Sequence, residues 1–137
     1  MKINFKLNKE IDYKSLSNRE LQDLMLPIEI KIQNKIFTNH AMFVPTYNHY
    51  CSEIDNLLLE GKKEIVLDPI DWGIAPVISR LSPGVYRVSL EREGKQFSET
   101  MNEEEILKIL KHLLRVKENL GIKFLQLPKT MKKLKYI

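Results

Sequence analysis

The chain has 137 residues, 43% of them apolar and 29% charged, with a formal net charge of +4. That is one domain's worth of chain, with enough apolar content for a single core that needs neither disulfide nor metal. One cysteine, Cys51, excludes an intramolecular disulfide and a thiolate zinc cluster and suits a reducing, cytoplasmic setting, and no apolar run approaches the ~18 residues of a membrane span.

Met1–Leu7 alternates polar and apolar residues, so residues 2–8 read as a strand and not as a secretion signal. Ser17 and Glu20 form a Ser-x-x-Glu capping box, which predicts a helix of about two turns carrying Leu21, Leu24 and Met25 and ended by Pro27. Ile28, Ile30 and Ile32 alternate with Glu29 and Lys31, and Gln33-Asn34-Lys35 turns the chain into Ile36-Phe37, a hairpin. From Thr46 the period changes. Tyr47, Tyr50, Cys51, Ile54, Leu57 and Leu58 recur at helical spacing, and Gly61 with Lys62 and Lys63 closes that helix.

Glu64–Leu67 is a short strand stopped at Asp68-Pro69, residues 68–74 are a loop holding the only tryptophan, and Pro76–Leu81 is a further strand. Ser82-Pro83-Gly84 then delivers the chain to a second hairpin, in which Tyr86, Val88 and Leu90 share a face and Gly94 supplies the turn. Asn102 with Glu105 caps a helix from about Glu103 to Leu120. Its apolar stripe is Ile106, Ile109, Leu110, Leu113, Leu114 and Leu120, with Gly121 at its end. Glu103, Glu104 and Glu105 oppose the positive end of its dipole, Lys111, Arg115 and Lys117 lie toward the negative end, and Glu104–Lys108 is spaced for an ion pair. Phe124-Leu125-Gln126-Leu127, before Pro128, is a candidate last strand. The elements predict an α+β fold, an antiparallel sheet of about five to six strands with helices mainly on one face. The chain divides into one globular domain, 1–128, and a basic C-terminal tail, 129–137.

Charge is polarised along the sequence. Residues 1–107 hold 13 Lys/Arg and 17 Asp/Glu, a net of −4, whereas 108–137 hold nine Lys/Arg and only Glu118, a net of +8. The basic end, Lys108, Lys111, Arg115, Lys117, Lys129, Lys132, Lys133 and Lys135, is a candidate nucleic-acid surface, set against the simpler reading of a solvated helix face and tail without the interleaved aromatics of such surfaces. Met131, Leu134 and Ile137 recur every three residues, so the tail can dock on a partner or on anionic lipid, with packing on its own domain as the default.

No catalytic constellation emerges. His40, His49 and His112 are scattered, and Cys51, two positions from His49, falls on another helix face, so it reads as a small core residue between Tyr50 and Ile54. His49 and Glu53 share a face, but one imidazole and one carboxylate do not make a metal site. His112 is expected at a helix boundary or on the surface. With five glycines and no phosphate-cradling motif, no cofactor is expected. The most suggestive segment is Asp68-Pro69-Ile70-Asp71-Trp72-Gly73, whose two carboxylates, stiffening proline and large aromatic make Asp68, Asp71 and Trp72 candidate partner-binding residues. The alternative is that Trp72 lies over the sheet while both aspartates make turn bonds.

In size, element order and the hairpin Pro27–Phe37, the chain resembles small cytoplasmic immunity proteins of bacterial toxin systems. The resemblance is one of architecture and transfers no functional positions. It implies a non-catalytic protein-binding protein that neutralises a cognate toxin domain, with a nucleic-acid-associated module as the alternative. The acidic side, including Asp68, Asp71 and Trp72, is the expected face for a basic toxin.

Overall fold

A computed structural model describes residues 1–69, 71–72 and 74–136, the side chains of Asp71 and Trp72 excepted. Strand β1 (Lys2–Phe5) is followed by a 3₁₀ turn (Tyr13–Ser15), helix α1 (Asn18–Asp23), strands β2 (Met25–Ile32) and β3 (Lys35–Met42), and helix α2 (Phe43–Leu59). Strands β4 (Glu64–Val66), β5 (Asp71–Trp72), β6 (Val77–Ser82), β7 (Val85–Arg92) and β8 (Lys95–Asn102) come next, then helices α3 (Glu103–Leu120) and α4 (Lys129–Lys133).

The capping boxes form as their chemistry dictates. Ser17 and Glu20 exchange side-chain and backbone bonds at the start of α1, and Asn102 and Glu105 do the same at the start of α3. Gly121 takes φ 64° and closes α3. The β2–β3 turn places Gln33 at φ 52° and Asn34 at φ 63°, the left-handed pair that a two-residue hairpin needs, here without a glycine.

Two antiparallel sheets form where a single one of five to six strands was expected. One runs β1-β2-β3 and is extended by β5 at the last residues of β3; the other runs β4-β6-β7-β8. The reason lies in α2. Phe43, Val44, Tyr47, Tyr50, Cys51, Ile54 and Leu57 form its buried apolar face, and no residue of Phe43–Leu59 is exposed, so this helix is enclosed by the elements around it. It packs against β3, β4 and α3, and of the strands that follow it β5 returns to the first sheet while β4, β6, β7 and β8 form the second. Helix α3 in turn packs against β1 and β8. Ile3, Phe5, Ile28, Ile30 and Ile32 of the first sheet and Ile78, Tyr86, Val88 and Leu90 of the second line one continuous core. The sheets also meet where the Met1 amine and the Gln33 N–H both bond the Glu99 carboxylate and where Phe37 stands edge-on to Phe97 at 5.1 Å.

Three local expectations change. The helix predicted from Thr46 begins at Phe43, one turn early, because it has no side-chain cap to announce it. Pro27 lies within β2 and not at the end of α1, which stops at Asp23. Residues 124–127 form no strand. Two of their backbone groups bond the Asn48 side chain of α2, which donates to the Phe124 carbonyl at 3.0 Å and accepts from the Gln126 N–H at 2.8 Å. A helix side chain thus does what a neighbouring strand was expected to do.

Candidate functional site

The interior polar groups hold the scaffold together. Asp55 is a carboxylate buried on the enclosed helix α2. It accepts the N–H groups of Lys129 and Thr130 at 2.8 and 3.0 Å and the Thr130 hydroxyl at 2.7 Å, capping α4 from another element. Thr130 and Met131 are consequently buried, and the segment that opens the basic tail is docked on the domain. The Asn39 side chain, fully buried, donates to the Ile74 carbonyl and accepts its N–H, fixing the loop after β5. Arg80 donates to the Leu57 carbonyl near the end of α2 and rests on the Tyr86 ring. The Tyr47 hydroxyl donates to the Leu113 carbonyl at 2.7 Å, tying α2 to α3.

Groups with catalytic potential are occupied in the same way. His49 Nε2 lies 3.1 Å from the Val66 carbonyl and donates to it. Cys51 has no solvent exposure, and burial pushes its thiol up to about 12, so the neutral thiol dominates near neutral pH. A thiol-modifying aromatic disulfide should therefore leave native protein unmodified over hours and label Cys51 only as denaturant unfolds the chain. Fast labelling at zero denaturant would show that the site opens. Among the described residues no cluster of three or more His, Cys, Asp or Glu side chains is placed to hold a metal ion.

The candidate binding residues separate by region. Asp68 is exposed at the end of the β4 segment. Asp71 and Trp72 form β5, pairing with Ala41 and His40 of β3, and their side chains lie outside the described residues. This leaves the edge of β3 from Lys35 to Thr38 without a strand partner among the described residues, with Ile36 59% exposed.

On the opposite charge, Lys108 and Arg115 line two adjoining hollows on α3, one shared with Lys2, Ile3, Glu105 and His112 and the other with Lys111 and Tyr136. The Lys111 ammonium sits 4.5 Å from the Tyr136 ring centre, a cation–π contact that folds the tail over α3. No ion pair neutralises Lys108, Lys111 or Arg115 among the described residues, and Glu104 and Lys108 do not meet. Lys117 instead donates to the Ile122 carbonyl at 3.0 Å. Lys129 lines a separate hollow with Asp55, Ser52 and Glu60, while Lys132, Lys133 and Lys135 are exposed on the tail.

His112 departs from the expected surface position. It sits mid-helix, half-buried, its ring stacked on Phe5 at 6.4 Å, and burial together with Arg115 lowers its basicity. Sequence reasoning missed Asp55, Asn39, Arg80 and Lys2. For Asp55 a signal existed, since a carboxylate four residues after Cys51, within the apolar run of α2, requires a buried partner. Lys2 carried none. Compared with known protein families, curated proteins and solved structures, the chain matches none of them.

Proposed function

We propose that this chain is a non-catalytic protein-binding protein of the immunity type that its architecture resembles, acting in the cytoplasm by covering a cognate toxin domain. The observation that carries the reading is the open edge of β3. An unpaired strand edge is a template for another chain, and natural proteins normally cover or charge it. Here Lys35–Thr38 has no strand partner on that edge among the described residues and carries an exposed isoleucine, Asp68 lies on the exposed surface, His49 is hydrogen-bonded, and Cys51 is sealed in the core.

The test is genetic and then structural. A reading frame flanking the gene should be toxic when expressed alone and tolerated with this protein. Ile36→Lys, or Asp68→Lys, should weaken that protection while leaving the fold intact, since both side chains are exposed. Harmless neighbours would remove the immunity reading, and protection unaltered by either substitution would move the contact surface elsewhere.

A second reading, a nucleic-acid-associated module, is favoured by the unneutralised cations Lys108, Lys111 and Arg115 along α3. It requires affinity that falls steeply with salt, because each phosphate contact releases a counterion. Filter binding of a short oligonucleotide at two salt concentrations, with nothing retained even at the lower, would eliminate it.

A further inference from the structure

Between β1 and α3 lies a groove of about 310 Å³, lined by Met1, Lys2, Ile3, Glu105, Lys108, Ile109, His112 and Arg115. Its size is at the lower end of small-molecule sites. Ile3 and Ile109 give it apolar walls and are themselves buried, so the groove is framed by two rigid elements of the core. Three permanent cations, Lys2 from the strand and Lys108 and Arg115 from the helix, converge on it. The carboxylates nearby are already engaged: Glu105 accepts the Asn102 N–H at 3.3 Å, and Glu99 holds the Met1 amine. His112 Nε2 is buried without a hydrogen-bond partner, although its ring borders the groove. A buried polar nitrogen left unpaired costs stability and is normally satisfied by something.

From this convergence of three cations and an unpaired imidazole nitrogen on one groove, we infer that it is a binding site for the phosphate group of a small phosphomonoester. This goes beyond the protein-binding reading and does not rest on it. Arg115 supplies the planar donor fork suited to a phosphate, Lys2 and Lys108 act as point charges, and His112, whose Nε2 is covered in the free protein, supplies the directional bond once its ring turns toward the groove. The apolar walls take the body of the molecule. A site of this form differs from a nucleic-acid track, because its donors meet in one hollow and do not follow a line of phosphates.

The ligand also shifts the His112 equilibrium. Without ligand, burial and Arg115 favour the neutral ring, with Lys2 and Lys108 adding positive charge and Glu105 opposing it. A group whose folded pKa is depressed, when its charged form is the protonated one, contributes stability above its unfolded value of about 6.5 and loses it as pH falls below that value. A phosphate dianion in the groove favours the protonated ring, so the titration midpoint of His112 should rise on binding.

The experiment is imidazole NMR of the full chain titrated with ribose 5-phosphate, inorganic phosphate and a short oligonucleotide. Saturable shifts at His112 with ribose 5-phosphate and a higher titration midpoint are expected, with inorganic phosphate binding more weakly. Arg115→Ala should weaken binding roughly tenfold or more, on the scale of a charge-assisted hydrogen bond. Lys9→Ala, an exposed lysine away from the groove, should leave it unchanged. His112→Phe keeps the stack on Phe5 but removes the nitrogen; calorimetry on that variant should show the same loss with the fold retained. No shift at His112, equal losses from Arg115→Ala and Lys9→Ala, or shifts produced only by the oligonucleotide would each overturn the inference.

Discussion

Replacing Phe5 by alanine should lower unfolding stability by about 3–5 kcal/mol, the range for truncating a fully packed aromatic. Phe5 is 3% exposed, and its ring meets Phe43 at 5.5 Å, Tyr47 at 6.0 Å, Tyr50 at 6.1 Å and His112 at 6.4 Å. A four-residue strand thus anchors the aromatic side of α2 and touches α3 at the same point. The surrounding rings are too stiff to collapse into the space, so most of the cavity would persist. Denaturant unfolding measures the loss. Phe5→Leu should recover more than half of it, because leucine restores volume though not the edge-on contacts. A loss below about 1 kcal/mol for Phe5→Ala would mean that the cluster repacks.

The second large effect is expected at Asp55. Asp55→Ala removes the acceptor for two backbone N–H groups and one hydroxyl at the start of α4, and should cost about 2–4 kcal/mol. The cost stays below the sum of three charge-assisted bonds because α4 can undock and let water satisfy its donors. Undocking has its own signature. Amide exchange at Thr130 should rise toward the unprotected rate while the α3 amides remain protected, and protease should cut after Lys132 and Lys133. Asp55→Asn keeps one acceptor oxygen and should fall between. If Thr130 stays protected in Asp55→Ala, the docking rests on the buried Met131 and not on the carboxylate.

These two residues mark the boundary between what was legible and what was not. Ser17 with Glu20, Asn102 with Glu105, and Gly121 were readable because a cap is chemistry among residues three or four apart. Leu90 and Val88 announced a strand for the same reason, since alternation is local. Phe5 reads as one apolar residue in an alternating run, and nothing nearby says that four rings will gather around it. Asp55 reads as a charge in a helix; its partner Thr130 is 75 positions away. Among the candidate binding residues, Lys108, Lys111 and Arg115 were found because helical spacing puts them on neighbouring turns. Lys2 joins Lys108 and Arg115 only because β1 packs on α3.

By itself the sequence determined most of the element types, two of the helix starts, the hairpin turns and the split of charge between the body and the basic end. Each is fixed by interactions spanning a few residues, where backbone conformation and side-chain chemistry act directly. Tertiary structure alone decided that the strands divide into two sheets, because an apolar α2 must be covered on several sides and covering is a property of the whole chain. It also decided that Phe124 and Gln126 bond to Asn48 and residues 124–127 form no strand, that His112 is drawn inward onto Phe5, and that three cations from a strand and a helix share one groove. Such contacts come from chain closure over long separations, and no local pattern records them.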